Sequence, residues 1–264
     1  MYELSVIKIG GNVVDNDAAL NKFLDEFTQI KGYKILVHGG GKLATKLSDQ
    51  LGIETKMVEG RRITDADTLD ICTMVYGGLV NKRIVAMLNA RGCKAMGLSG
   101  ADAAVLPAKR RDPSPVDFGF VGDVIQDGVD FKFIRSMLDA GVTPVFCALT
   151  YDTVNGTMLN SNADGIAQAV AVAASTFAHV NLFYCFEKDG VMRNVDDPDS
   201  LIETIDALSF ETLKNEGAIA GGMIPKVTSA LKALQMGVSN VYIKNSDNLL
   251  NNRGTRISKK TNDR

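Results

Sequence analysis

One pattern constrains this chain more than any other. Short apolar, β-branched runs alternate with glycine-rich or polar loops and with stretches whose apolar residues recur at helical spacing. Leu4-Ser5-Val6-Ile7-Lys8-Ile9 is the first run. Gly10-Gly11-Asn12 follows it, and Leu20, Phe23, Leu24, Phe27 and Ile30 then mark a helix closed by Gly32. Lys34-Ile35-Leu36-Val37 is the second run, with His38-Gly39-Gly40-Gly41 as its loop. Thr64 is the expected N-cap of a long helix reaching Arg91 and Gly92. Val142 to Leu149 reads as one buried strand, and Tyr151 to Leu159 as a turn about Asn155-Gly156. Asn160-Ser161-Asn162-Ala163-Asp164 opens an alanine-rich helix. His179 to Phe186 is a strand, Gly221-Gly222-Met223 introduces a helix through Met236, and Ser239 to Ile243 is the last strand. Parallel strands need crossovers and helices are the compact ones, so the pattern predicts an open, mostly parallel α/β sheet with helices on both faces. The segment Ala103 to Gln126 holds the central prolines and reads as hairpins outside that sheet.

In such sheets ligands collect beyond the carboxyl ends of the strands. The Lys8 diglycine, the His38 loop, Asn160 to Asp164 and the loop after Phe186 all fall at that edge. A lysine ending a strand before two glycines has two readings. It is a solvated cation before an ordinary turn, or it belongs to an anion site where bare N–H groups and a helix start approach a phosphate. Composition limits the partners. A net charge of −2 over 264 residues gives no footing for nucleic acid or an anionic membrane. The four cysteines are far apart without Cys-x-x-Cys spacing and read as buried thiols in a reducing compartment. There is no basic-then-apolar leader, and no apolar run is expected to approach the roughly 18 residues of a spanning helix. A cytoplasmic protein with small-molecule partners is expected.

The familiar motifs are missing. There is no Gly-x-x-x-x-Gly-Lys-Ser/Thr, and the His38 loop lacks both dinucleotide glycine spacing and its downstream acid. No His/Cys cluster suggests a protein-held metal, and no Gly-x-Ser-x-Gly suggests a hydrolase. Glycine loops remain, with Lys8 and Lys226 at loop–helix junctions and Asp164 at a helix start. That set suits charge neutralisation around a transferring phosphoryl group. Taken singly, Asp164 is an ordinary helix-start acid, Lys226 a surface lysine and Arg62 half of a surface ion pair.

As an ordered set, Lys8-Ile9-Gly10-Gly11-Asn12, His38-Gly39-Gly40-Gly41, Gly60-Arg61-Arg62-Ile63-Thr64, Asn160 to Asp164 and Gly221-Gly222-Met223-Ile224-Pro225-Lys226 resemble the motifs of the N-acetylglutamate kinases, within the amino acid kinase superfamily. Val80-Asn81-Lys82 and Gly119-Phe120-Val121-Gly122 are similar too, so the resemblance runs from about Leu4 to Ile257. It implies that Mg-ATP phosphorylates the γ-carboxylate of an N-acylated glutamate, the second step of arginine synthesis. It also implies an open sheet of about eight strands. Residues 1–176 would bind the acylglutamate and 177–258 the ATP, leaving 259–264 as a polar tail.

By the same resemblance, Lys8 and Lys226 would neutralise the transferring group from opposite sides while Asp164 holds both. Gly10 and Gly11 would meet the phosphates, and Gly40 and Gly41 the γ-carboxylate. Arg62 would clamp the α-carboxylate, where a planar fork fits better than an ammonium. Asn160 would hold the remaining substrate polar groups. Glu187, Lys188, Asp189, Gly190, Val191 and Met192, with Ala218, Ile219 and Ala220, would border the nucleotide. Mg²⁺ would arrive with that nucleotide. The N-terminal helix of arginine-inhibited relatives is missing ahead of the first strand, which implies an arginine-insensitive homodimer. The chain departs from the family pattern at Phe186-Glu187, where a small hydroxyl residue and Asp are usual, and at Arg61, where an apolar residue is usual. A second guanidinium beside Arg62 would suit an acyl group with its own carboxylate, such as N-succinyl. Other kinases of the superfamily share the Lys8-type opening, and a binding or sensing protein without catalysis is the alternative of a different class.

Overall fold

The computed structural model describes residues 2–58, 60–194 and 196–259. The expected polar tail lies, from residue 260 onward, outside the described residues. Strand β1 (Tyr2–Ile9) leads into α1 (Gly11–Val14) and α2 (Asp17–Gln29), and β2 (Tyr33–His38) into α3 (Gly41–Gln50). A hairpin of β3 (Met57–Val58) and β4 (Arg61–Arg62) precedes the long helix α4 (Ala66–Ala90). Then come β5 (Ala95–Leu98), β6 (Pro107–Arg110), β7 (Val121–Val124), α5 (Phe131–Asp139), β8 (Thr143–Cys147), β9 (Leu149–Asp152) and β10 (Met158–Ser161). The remainder is α6 (Ala163–Ala174), β11 (Ala178–Phe186), β12 (Thr204–Ile205), α7 (Ala207–Asn215), α8 (Met223–Gln235), β13 (Asn240–Asn245) and β14 (Thr255–Ile257).

The main sheet has eight strands in the order β12-β14-β13-β11-β1-β2-β8-β5, all parallel except the β13–β14 pair. This is the α/β architecture that the alternating pattern predicts. β1 lies in the middle, hydrogen-bonded to β11 and β2, and its Leu4, Val6, Ile7 and Ile9 are wholly buried. A central strand covered on both faces has to be apolar on both, which is what its sequence shows. α2 turns Leu20, Phe23, Leu24 and Phe27 into the core and is capped by Asn16, whose side chain accepts from the Ala19 N–H.

The segment from Ala103 does leave the main sheet: β6 and β7 close a small barrel with β9 and β10. One expected strand is divided. The run Val142 to Leu149 stays in the main sheet only to Cys147, and the chain then turns into the barrel as β9. There the Ala148 carbonyl accepts from Ser161 N–H and the Leu149 carbonyl from Gly100 N–H. Apolar patterning records burial, and both parts of this run are buried, so it carries no mark of the change of partner.

Two expectations about α4 are corrected. Its N-cap is Asp65, accepting from Thr68 N–H at 2.9 Å, because Thr64 is engaged elsewhere. Thr64 donates its N–H to Phe118 O and accepts from Phe120 N–H, forming a bridge with Gly119. Second, α4 is long and apolar enough to cross a membrane by length and composition. It is a core helix, burying Ile71, Cys72, Val75, Tyr76, Val80, Ile84 and Leu88 against the sheet. Its middle, Thr73–Val80, is wound as a π-helix, a feature frequent beside functional sites.

Gly119 has φ +72°, and a Cβ there would lie 2.2 Å from the Thr64 carbonyl oxygen. Gly119→Ala is therefore expected to cost about 2 kcal/mol in urea unfolding, from left-handed strain plus displacement of the bridge. A loss below about 0.5 kcal/mol, the size of a neutral surface change, would contradict this.

Candidate active site

Lys8 is the next-to-last residue of β1, in register with Val37 on β2 and Tyr184 on β11. α6 packs across β1 and β11 on the face to which Lys8 reaches, and Asp164 is the second residue of that helix. A carboxylate is favoured in a first turn by the helix dipole, and Asn162 holds the turn by accepting from Asp164 N–H at 2.9 Å. Lys226 comes from the first turn of α8, which packs beside α6. Its Nζ donates to Asp164 Oδ2 at 3.2 Å. Lys8 Nζ pairs with the other oxygen, Oδ1, at 2.8 Å. One carboxylate thus braces two ammonium groups from opposite ends of the chain. Burial works against its ionised form, but Lys8 and Lys226 outweigh that and hold the carboxyl below its usual range.

The glycine loops abut this triad. A Cβ on Gly10 would lie 3.9 Å from Lys8 Nζ, and one on Gly11 would lie 3.9 Å from Gly41 N. Gly11 and Gly41 are the first residues of α1 and α3, so two helix starts with free N–H groups face one place. Gly40 is pressed against an aromatic ring, since a Cβ there would meet Tyr76 Cδ1 at 2.9 Å. Arg62 is no surface ion pair. It is buried, donating through Nη2 to Gly41 O (2.8 Å) and Thr45 Oγ1 (2.7 Å) and through Nη1 to Thr55 Oγ1 (3.1 Å). Asn160 Nδ2 donates to the Thr64 hydroxyl at 2.9 Å. Gly41, Arg62 and Asn160 line one cavity of about 260 Å³ with Tyr76, Arg61 and Arg111.

The residues expected to border a nucleotide differ in exposure and partners. Glu187 is exposed and lines a second cavity with Asn12, Asp15 and Lys42, and Lys188 is exposed beside it. The Asp189 carboxylate is occupied by Asn245, Asn248 and Arg253. Gly190 and Val191 are packed into the fold. A Cβ on Gly190 would meet Thr255 N at 2.9 Å, and Val191 N–H donates to the Thr255 hydroxyl. Met192 pairs with Leu201. Ala218 and Ile219 donate to Leu213 O at the end of α7, Ile219 is buried, and Ala220 is exposed just before α8.

Sequence reasoning missed several groups. Thr45 stands one helical turn beyond Gly41, a spacing legible as one face of α3. Tyr76 is an aromatic residue in an apolar helix and carries no signal of its position under Gly40. Asp15 lies close to Gly11, and its two carboxylate oxygens are buried without a hydrogen-bond partner among the described residues. Burial raises its pKa against the pull of Lys42 and Arg83.

His38 is wholly buried at the end of β2. Asn81 Nδ2 donates to its Nε2 at 3.0 Å, which leaves Nδ1–H to donate to Gly39 O at 2.8 Å. The ring therefore holds the glycine loop to α4 rather than contacting a ligand. Burial pushes its pKa down to about 4. The unfolded chain takes up a proton as pH falls through about 6.5 while the native ring stays neutral. Stability should fall from about pH 6.5 down to about pH 4, by roughly 3 kcal/mol in total. Urea titrations across that window measure the loss, and an NMR titration of the His38 ring near its ordinary value would contradict it.

The sequence matches the Amino acid kinase family over residues 3–245. It is 51% identical over 257 residues to the acetylglutamate kinase of Bacteroides thetaiotaomicron, covering 97% of this chain and 99% of that protein. The acetylglutamate kinase of Cytophaga hutchinsonii is 51% identical over 251 residues, covering 95% of this chain and 94% of the relative. Among solved structures, that of smu.665 from Streptococcus mutans superimposes with a TM-score of 0.78 at 30% identity, covering 97% of this chain and 99% of that one. The chain belongs to the amino acid kinase family.

Proposed function

We propose that this protein transfers the γ-phosphoryl group of ATP to the γ-carboxylate of N-acetyl-L-glutamate, the acyl-phosphate-forming second step of arginine biosynthesis. The observation that carries the reading is the Lys8–Asp164–Lys226 bridge at the carboxyl edge of the sheet, beside the starts of α1 and α3. The substrate carboxylate is already ionised and nucleophilic, so no general base is required. Its oxygen attacks the γ-phosphorus in line, the bond to the ADP oxygen breaks, and ADP leaves with that electron pair. Charge spreads over the three equatorial oxygens, and Lys8 and Lys226 meet it from two sides while Asp164 keeps them apart and aimed. Gly11 offers its N–H to the phosphates beside Gly10, whose own N–H donates to Cys185 O, and Gly40 and Gly41 offer theirs to the γ-carboxylate. Arg62 and Asn160 hold the α-carboxylate and the remaining polar groups.

The cationic, N–H-rich donor set fits phosphate, and a magnesium ion would be held on phosphate oxygens, where it neutralises further charge. In this reading residues 1–176 carry the acylglutamate and 177–258 the ATP, with Glu187 to Met192 and Ala218 to Ala220 along the nucleotide. The working form is a cytoplasmic homodimer that arginine does not inhibit. Exposed Met74 and Leu79 on α4 and Met96 on the terminal strand β5 support a dimer through that edge. A second reading concerns the acyl group alone. Arg61 lines the same cavity as Arg62 and Asn160, which favours an acyl chain with its own carboxylate, such as N-succinyl; Arg111, also in the lining, is held by Asp123.

A coupled ATPase assay over N-acetyl-, N-succinyl- and free glutamate, with aspartate, tests both. Turnover of an N-acylglutamate, unaffected by added arginine, is expected; binding without turnover would leave a sensor instead. Faster kcat/KM on the N-succinyl substrate, lost in Arg61→Leu, decides for the second reading. Lys8→Ala should fold normally and lose about 10²–10³ in kcat, the usual cost of a preorganised charge-stabilising donor. Near-normal turnover by that variant would remove the assignment.

A further inference from the structure

The phenol of Tyr184 has no role in the chemistry above, and its position is hard to explain by packing alone. Tyr184 sits on β11 in register with Lys8, so its side chain leaves the sheet on the face that carries Asp164. It is buried, and its hydroxyl has no hydrogen-bond partner among the described residues. Leaving a buried hydroxyl unpaired costs about 1–3 kcal/mol, a penalty that phenylalanine would avoid. The same site has an acceptor within its reach. Asp164 Oδ1 is buried and held by the Lys8 ammonium at 2.8 Å, with no second donor on it among the described residues.

When Lys8 also donates to the transferring phosphoryl group, its ammonium is shared and Oδ1 is compensated less fully. An uncompensated carboxylate in a largely buried site is costly, and it recovers either by protonating or by finding another donor. Protonation would release both lysines from their brace. We propose that Tyr184 is a positioning residue whose hydroxyl donates to Asp164 Oδ1 while Lys8 is engaged with the phosphoryl group, keeping the carboxylate ionised and in place. The phenol is suited to this, because burial first and the Asp164 charge second keep it protonated at any working pH. The inference rests on the phosphoryl-transfer reading given above.

Tyr184→Phe tests it with three measurements. Thermal unfolding of the ligand-free variant should be unchanged or slightly higher, since an unpaired hydroxyl has been removed from a buried setting. With the acylglutamate that the wild type phosphorylates, kcat should fall about tenfold or more while KM for that substrate stays within about twofold, the signature of a contact made only during transfer. The acid limb of the kcat–pH profile should move to higher pH, because losing a donor to a carboxylate raises its pKa. Wild-type kcat with an unmoved acid limb overturns the proposal, and so does a parallel loss of stability and kcat, which marks a packing role. Failure of the wild type to phosphorylate any acylglutamate would instead overturn the functional reading, and this inference with it.

Discussion

Two ammonium groups do not come together on one small group unless it neutralises them, and in this protein that group is Asp164. At a few ångströms in a partly dry site, like charges repel by several kcal/mol. A carboxylate 2.8 and 3.2 Å from the two nitrogens reverses the sign of the interaction. The arrangement makes demands on the whole fold. β1 must run beside β11, α6 must cross both with its first turn at the carboxyl edge, and α8 must lie against α6. The eight-stranded order, with β1 central, meets these conditions together. An edge position for β1 would leave Lys8 in solvent, where its pairing would be worth little.

Around that triad the fold builds rigidity from backbone rather than from bulk. Arg62 is tied by its fork to the carbonyl of Gly41 and to two threonines, so the hairpin of β3 and β4 is fixed to the start of α3. Thr64, two residues on, bridges to Gly119 of the barrel and accepts from Asn160, which joins hairpin, barrel and the approach to α6. His38 and Asn81 fasten the third side, linking the glycine loop to α4 and, through Val145 O, to β8. Each tie is a buried or part-buried hydrogen bond whose loss would leave a group short of a partner.

Much of this was legible in the chain. The opening strand shows its burial on both faces, and the helix faces and their glycine stops are plain from spacing. Lys8, Asp164, Lys226, Arg62 and Asn160 are reached through ordered motifs. The pairing of Lys8 and Lys226 with one acid is expected from the family resemblance alone, because spacing says nothing of which helix start faces which strand end. The sheet switch at Ala148 left no trace, since both sides of it are equally apolar. Thr64 looked like a cap because its chemistry suits one, yet its backbone and hydroxyl were claimed by the barrel and Asn160, and Asp65 took the position. Tyr184 read simply as part of a strand, for nothing in an apolar run distinguishes a phenol that packs from one that lacks a partner.

The most direct test is a structure with ADP, a planar mimic of the transferring phosphoryl group and N-acetylglutamate bound together. The account places Lys8 Nζ and Lys226 Nζ on opposite sides of the mimic, each within about 3 Å of its equatorial oxygens, with Asp164 still between them. A mimic seated away from both nitrogens, or held by other cations while the lysines remain on Asp164 alone, would contradict it.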